Sequence, residues 1–140
     1  MSLLLDSSVL VRAVVASHPD HAVVDAWYTA RLAETELLAT THALAETFKV
    51  VSGAYRAPHA ECRRIVARLR RDLTLVALHP ADYLSAIEMT MRAGRSGPTV
   101  YDALHVAGAV RAGATHVAAC DLRSFPFLLP PAQLVNPLAP

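Results

Sequence analysis

The chain has 140 residues, of which 54% are hydrophobic and 18% are charged, and its formal net charge is +1. This composition excludes a disordered protein and predicts one globular domain over residues 1–140 with a sizeable core. No apolar run reaches the ~18 residues that a membrane span needs, and the N-terminus lacks the basic start and cleavage motif of a signal peptide. We therefore expect a cytoplasmic protein without membrane association.

Apolar strands and amphipathic helices alternate along the chain. The strands are predicted at residues 3–5, 37–40, 73–78, 115–119 and 133–136. The helices are predicted at residues 8–16, 20–33, 41–55, 59–71, 80–92 and 99–112. Thr41 is the expected cap of the third helix, and Gly113 is expected to end the last one. This alternation indicates an α/β fold with a mainly parallel sheet.

Four carboxylates stand in mostly apolar, uncharged surroundings. They are Asp6, Glu46, Asp102 and Asp121. Asp6 and Asp121 follow predicted strands, where parallel sheets form their sites beyond the carboxyl ends. Asp102 falls in the first turn of its helix and Glu46 one turn into its own. We therefore expect all four to converge on one cleft.

Each carboxylate also has a purely structural interpretation. Asp6 with Ser7 can cap a helix, and Asp121 can form an Asx turn. Thr99 and Asp102 fit a variant capping box, and Glu46 can pair with Lys49 one turn on. Taken singly, these interpretations are favoured. Taken together, four carboxylates at one sheet edge repel one another unless cations bind, and hard oxygen ligands favour Mg²⁺ or Mn²⁺.

The chain resembles the PIN-domain ribonucleases, and specifically the VapC toxins of bacterial toxin–antitoxin pairs. The matching segments contain Leu4-Leu-Asp-Ser-Ser-Val-Leu-Val, Ala43-Leu-Ala-Glu-Thr, Thr99-Val-Tyr-Asp-Ala-Leu-His-Val-Ala and His116-Val-Ala-Ala-Cys-Asp-Leu-Arg-Ser-Phe. The resemblance implies a three-layer α/β/α fold with a sheet of four to five strands. It also implies a cytoplasmic homodimer that cleaves RNA and is inhibited by a cognate antitoxin.

The same resemblance assigns the site residues. It implies that Asp6, Glu46, Asp102 and Asp121 are catalytic, and that Asp6, Asp102 and Asp121 bind Mg²⁺ or Mn²⁺. Ser8 and Thr99 would not bind the metal but would lie next to its ligands, where Thr99 would orient Asp102. The chain departs from the family pattern at Ser124, near the place of a further acidic residue, and at Ala118 and Ala119, where a threonine is usual.

Other residues have weaker claims on the cleft. His42 and His105 lie near Glu46 and Asp102, although a histidine on an apolar helix more often has a core or surface position. Tyr101 and Trp27 could stack on a base, but packing is favoured for both. Arg12 and Lys49 could approach a phosphate or lie on the surface.

The chain also contains a cluster of arginines and two cysteines. A run of arginines suits nucleic acid or an acidic partner, or else a solvated helix face: Arg63, Arg64, Arg68, Arg70 and Arg71. The cysteines Cys62 and Cys120 have no spacing typical of a disulfide framework or a zinc site.

We predict from these features a metal-dependent endoribonuclease acting as a toxin. Two other functions stay open. One is an aspartyl-phosphate phosphoryl-transfer enzyme with Asp6 as nucleophile, although Ser8 stands where a second aspartate would be expected. The other is a module of the same fold that binds RNA or protein without cleaving it.

Overall fold

A five-stranded parallel sheet forms the centre of the computed structural model, which describes residues 1–139. The strands are β1 (Ser2–Leu5), β2 (Glu36–Thr40), β3 (Thr74–Val76), β4 (His116–Ala118) and β5 (Leu134–Val135). Their order across the sheet is β3-β2-β1-β4-β5, and every neighbouring pair is parallel. The predicted parallel α/β sheet is confirmed.

Helices connect the strands and cover the sheet. They are α1 (Ser7–Val14), α2 (His21–Glu34), α3 (Thr41–Ser52), α4 (His59–Asp72), α5 (Pro80–Arg92) and α6 (Thr99–Ala112). Two short 3₁₀ turns follow at Phe125–Phe127 and Pro131–Gln133. Within residues 1–139, no helix is long and apolar enough to cross a membrane.

Alternate side chains of the central strand enter two separate cores. Leu3 and Leu5 of β1 pack with buried residues of α1 to α4 on one face of the sheet. Leu4, between them, packs with Val106 of α6 and with Phe125 on the other face. All three leucines are fully buried, as expected for a strand covered on both faces. The α/β/α layering is therefore confirmed.

The carboxyl ends of β1 and β4 lie side by side. Leu5 pairs with Ala118, and the next residue, Asp6, donates its N–H to the Ala118 carbonyl at 2.9 Å. The chain enters α1 directly after β1 and α3 directly after β2. This edge of the sheet therefore gathers the ends of two central strands and the first turns of two helices.

Several element boundaries differ from the sequence prediction by one to three residues, and three of the differences have a visible physical reason. Thr40, not Thr41, caps α3: it ends β2 with extended backbone, and its Oγ1 accepts from Ala43 N–H at 3.1 Å. Helix α3 ends at Ser52, three residues early, because the N–H groups of Tyr55 and Ala57 bond back to its last turns. Strand β3 is shorter than predicted because only its residues 74–76 pair with β2.

Candidate active site

A cleft of about 630 Å³ opens at the carboxyl ends of β1 and β4. The carboxylates predicted from the sequence all line it: Asp6, Glu46, Asp102 and Asp121. Ser8 and Thr99, the two predicted supporting residues, line it as well. The structure therefore brings together at one place residues that are up to 115 positions apart in the chain (121 − 6).

Asp6 lies at the bottom of the cleft and is only 4% exposed. Its Oδ2 accepts from Ser8 N–H at 3.1 Å, which makes it the N-cap of α1. Its Oδ1 lies 3.2 Å from Nε2 of His105. The helix-cap interpretation of Asp6 is therefore confirmed, and the same carboxylate also faces the cleft.

Glu46 projects from the second turn of α3. Its Oε1 lies 2.7 Å from Nε2 of His105 and 3.7 Å from Nε2 of His42. The alternative pairing with Lys49 is not found among residues 1–139. Glu46 therefore contacts a histidine of α6 as well as one of its own helix.

His105 supports the site from within the protein core. It is fully buried, and its Nδ1 lies 3.0 Å from Oγ1 of Thr40. Burial opposes protonation of the ring, but the hydrogen bond to Glu46 and the charge of Asp6 outweigh it and raise the His105 pKa. His105 therefore has a core position, one of the two positions favoured from the sequence, and it also contacts two cleft carboxylates, which was the less favoured alternative.

Asp102 lies in the first turn of α6, next to a serine of a different segment. The proposed capping box with Thr99 is wrong, because α6 begins after Pro98 without a side-chain cap. Ser124 lies beside Asp102, and its Oγ is 3.3 Å from Thr99 Oγ1. Burial and then the charge of Asp6 raise the pKa of Asp102 to about 6.

Asp121 is fixed by its own loop and by α1. Its Oδ1 accepts from Arg123 N–H at 3.2 Å, which confirms the predicted Asx turn. The Arg123 guanidinium, 2.5 Å from Oδ2, lowers the pKa of Asp121. Ser8 Oγ accepts from the N–H groups of Cys120 at 3.0 Å and Asp121 at 3.3 Å. Ser8 therefore locks this loop against the start of α1.

The charges of the cleft are unequally compensated. His105 faces Asp6 and Glu46, and Arg123 faces Asp121, whereas Asp102 forms no ion pair among residues 1–139. No group of three or more His, Cys, Asp or Glu side chains in that range is arranged as a metal site. The donors are nevertheless carboxylate and hydroxyl oxygens from several segments around one cleft. This chemistry fits Mg²⁺ or Mn²⁺.

Three arginines lie along the cleft walls. Arg12 bonds to Asp20 at 3.2 Å and to the Ser8 carbonyl at 3.0 Å. Arg95, in the loop between α5 and α6, lies 4.5 Å from the ring of Phe127. Arg123 is mostly exposed. Sequence reasoning singled out Arg12 alone, because the other two sit in loops without a periodic pattern.

Of the two aromatic candidates, Tyr101 lines the cleft, whereas Trp27 packs against the core. Tyr101 lines the cleft, is half exposed, and stacks on His42 with 5.3 Å between ring centroids and 12° between ring planes. Trp27 packs against the core of α1 to α4, which confirms the packing interpretation. Lys49 is exposed and does not line the cleft.

The arginines of α4 lie elsewhere. Arg63 and Arg70 line a separate groove with Phe48 and Val66, and Arg68 pairs with Asp25 at 2.8 Å. Cys62 and Cys120 are free thiols. Burial raises the pKa of Cys120 to about 11, so this thiol stays protonated at neutral pH.

Comparison with known proteins identifies the class of this fold. The family model described as the PIN domain matches residues 3–126, and the chain belongs to this family. A search of curated proteins gives no match.

Three solved structures share the fold. VapC20 of Mycobacterium tuberculosis, a toxin that cleaves the sarcin-ricin loop, is 17% identical with a TM-score of 0.74, over 89% of this chain and 93% of its own. VapBC2 of Rickettsia felis, bound to promoter DNA, is 14% identical with a TM-score of 0.72, over 97% and 98%. FitAcB of Neisseria gonorrhoeae is 20% identical with a TM-score of 0.65, over 96% and 97%. At these identities the likeness establishes the fold.

Proposed function

We propose that the protein is a Mg²⁺- or Mn²⁺-dependent endoribonuclease. The observation that carries this proposal is the convergence of Asp6, Glu46, Asp102 and Asp121 on one cleft of a PIN domain. Asp6, Asp102 and Asp121 would hold the cation, because their side chains come from three different segments around the cleft. When bound, the cation supplies positive charge to the scissile phosphate and lowers the pKa of water.

The protein groups fix the geometry of the reaction. Asp6 is held on Oδ2 by Ser8 N–H, and its Oδ1 lies 3.2 Å from His105 Nε2. Ser8 also holds the backbone N–H of Asp121. Carboxylates oriented in this way need little rearrangement when the phosphate binds, which lowers the cost of reaching the transition state.

Glu46 is the proposed proton acceptor. Its Oε1 accepts from His105, while Oε2 has no hydrogen bond among residues 1–139 and belongs to a residue that lines the cleft. Oε2 would take a proton from the attacking water as the water oxygen adds to phosphorus and the bond to the leaving oxygen breaks. Asp121 is the less favoured acceptor because Arg123 lowers its pKa.

RNA is the proposed substrate. Arg12, Arg95 and Arg123 line the cleft and can neutralise phosphates on either side of the cleaved one. The half-exposed ring of Tyr101 offers a surface on which an unpaired base can stack. Both features favour a single-stranded segment or a loop as the target.

We further propose that the protein is the toxin of a toxin–antitoxin pair, is inhibited by a cognate antitoxin, and forms a homodimer in the cytoplasm. The family resemblance and the shared fold with VapC20, VapBC2 and FitAcB support this proposal. Apolar surface is available to a protein partner on α5, where Leu84 and Met91 are 68% and 65% exposed. Light scattering of the purified protein measures the oligomeric state, and co-expression with candidate antitoxins tests inhibition.

The direct test of function is RNA cleavage by purified protein. We expect cleavage of a labelled RNA with Mg²⁺ or Mn²⁺, and a loss of about 100-fold or more in Asp102→Asn, the scale of removing one preorganised charge. The control is Glu88→Gln, which makes the same chemical change on an exposed surface of α5. Circular dichroism must show that both variants keep the fold.

Two other experimental outcomes would indicate a different function. RNA or protein binding without cleavage by the folded wild type would indicate a non-catalytic module. A borohydride-trapped acyl phosphate on Asp6 would indicate phosphoryl transfer, although Ser8 stands where a second aspartate would be expected.

A further inference from the structure

A buried histidine lies behind two of the cleft carboxylates. His105 is fully buried on α6, and its Nε2 lies 2.7 Å from Glu46 Oε1 and 3.2 Å from Asp6 Oδ1. Asp6 follows the end of β1, Glu46 lies on α3, and His105 lies on α6. The Nε2 atom of His105 is therefore close to both carboxylates, which belong to two different elements.

The partner of Nε2 determines which ring nitrogen carries the proton in the neutral ring. Nε2 faces ionised Glu46, which can only accept, so the proton is on Nε2. Nδ1, 3.0 Å from Thr40 Oγ1, then accepts from the Thr40 hydroxyl, whose oxygen also accepts from Ala43 N–H. In the charged ring, Nδ1–H donates to Thr40 and Nε2–H is retained. Nε2 is therefore a donor to Glu46 in both charge states.

This donor restricts a side chain that would otherwise be mobile. Glu46 is partly exposed on α3, and like charges on Glu46 and Asp6 would drive the two side chains apart. Asp6 is already fixed by Ser8 N–H. A donor placed between Asp6 and Glu46 holds Glu46 in one rotamer with Oε2 left for the cleft.

We propose that His105 is a positioning residue, which sets the Glu46 carboxylate beside Asp6 through its Nε2–H. The proposal rests on the proposed nuclease function for its kinetic consequence but not for its geometry. A histidine that only filled the core would be replaceable by an apolar side chain without effect on Glu46.

The test compares two replacements of His105. His105→Leu keeps apolar bulk but removes the donor, whereas His105→Gln can place an amide N–H near the position of Nε2. We expect kcat to fall about 10- to 100-fold in His105→Leu, with KM little changed, and to recover in part in His105→Gln. Loss of kcat in His105→Leu without any recovery in a folded His105→Gln variant would overturn the proposal.

Two further readouts separate positioning from stability. In a Glu46→Ala background, His105→Leu should have no additional effect on kcat, since the residue on which it acts is gone. An equal loss in both backgrounds would overturn the proposal. Crystal structures without RNA should show Glu46 in one rotamer in the wild type and in several in His105→Leu. An unchanged rotamer would contradict the proposal even if the wild type cleaved no RNA, so the two claims fail separately.

Discussion

At the scale of single residues, two of the cleft carboxylates combine a local structural role with a position in the cleft. Asp6 caps α1 and faces the cleft, and Asp121 closes an Asx turn and lines the same cleft. The hydrogen bond that caps the helix or closes the turn holds the carboxylate in one orientation. A preorganised site needs side chains that are held in this way. A structural explanation of one residue therefore does not argue against its function.

Ser8 gives a residue-scale prediction. Its Oγ accepts from two backbone N–H groups, those of Cys120 and Asp121, which would lose their partner in Ser8→Ala. We expect a loss of about 1–3 kcal/mol in the free energy of unfolding, together with a lower rate of RNA cleavage. Chemical denaturation and the cleavage assay measure the two effects.

The neighbouring serine is the matched control. Ser7 begins α1 but forms no side-chain hydrogen bond among residues 1–139, so Ser7→Ala should change stability by less than about 0.5 kcal/mol. Equal effects of the two substitutions would mean that the Ser8 hydroxyl does not hold the Asp121 loop.

At the scale of elements, α5 and α6 form a unit fixed by a charged pair. Asp82 Oδ2 accepts from Arg111 Nε at 2.6 Å and from His79 N–H at 2.7 Å. Asp82 also lies in the first turn of α5, where a negative charge favours the helix. The pair joins the start of α5 to the end of α6, the helix that carries Asp102 and His105.

The Asp82 pair predicts a dependence of stability on pH. The hydrogen bonds from Arg111 and from His79 N–H lower the pKa of Asp82 in the folded state. Its contribution is therefore complete above the unfolded pKa of about 3.9 and is lost as the pH falls through the folded pKa. Between about pH 5 and pH 2, the wild type should lose more unfolding free energy than Asp82→Asn.

Glu88→Gln controls for the general effect of acid, since Glu88 pairs with Arg92 on the surface of the same helix. This variant should follow the wild type over the whole pH range. A similar acid sensitivity of the wild type and Asp82→Asn would show that the Asp82–Arg111 pair does not stabilise the two helices.

The presence and order of the helices and strands were largely predictable from the sequence, but the residues at which they begin and end were not. The cap of α3 illustrates the reason: Thr40 and Thr41 are equally good caps locally, and the pairing of β2 with β1 and β3 decides which of them ends the strand. Gly113 was predictable because its left-handed backbone, with φ of 66°, favours glycine.

The candidate site was predictable in its carboxylates but not in their partners. The position of Asp6 and Asp121 after strands brings them to one edge in any parallel sheet. His105 contacts Thr40, Asp6 and Glu46, which lie 59 or more positions away in the chain, and no local pattern reports such contacts. Ser124 is similar: it lies beside Asp102 and bonds to Thr99, 25 positions away in the chain, and no local pattern indicates this contact.

At the scale of the whole molecule, the half-buried carboxylate of Asp102, which forms no ion pair among residues 1–139, links stability to cations. Burial and the charge of Asp6 raise the pKa of Asp102 above its unfolded value, so its ionised form opposes folding at neutral pH. In the absence of divalent metal, we expect Asp102→Asn to raise the melting temperature. Millimolar Mg²⁺ or Mn²⁺ should raise that of the wild type by several degrees and that of Asp102→Asn by less.

Calorimetry in EDTA and in each metal measures these shifts, with Glu88→Gln as the control for nonspecific ion effects. Equal shifts in the wild type and in Asp102→Asn would argue against cation binding at the cleft. A lower melting temperature of Asp102→Asn in EDTA would show that Asp102 stabilises the metal-free fold.

The most direct test of the central claim is anomalous scattering from a crystal soaked in Mn²⁺. The proposed site predicts an anomalous peak in contact with the carboxylates of Asp6, Asp102 and Asp121, and no such peak in Asp102→Asn crystals soaked in the same way. A wild-type crystal with an open cleft and no peak between these carboxylates would contradict the claim that they form a metal-dependent nuclease site.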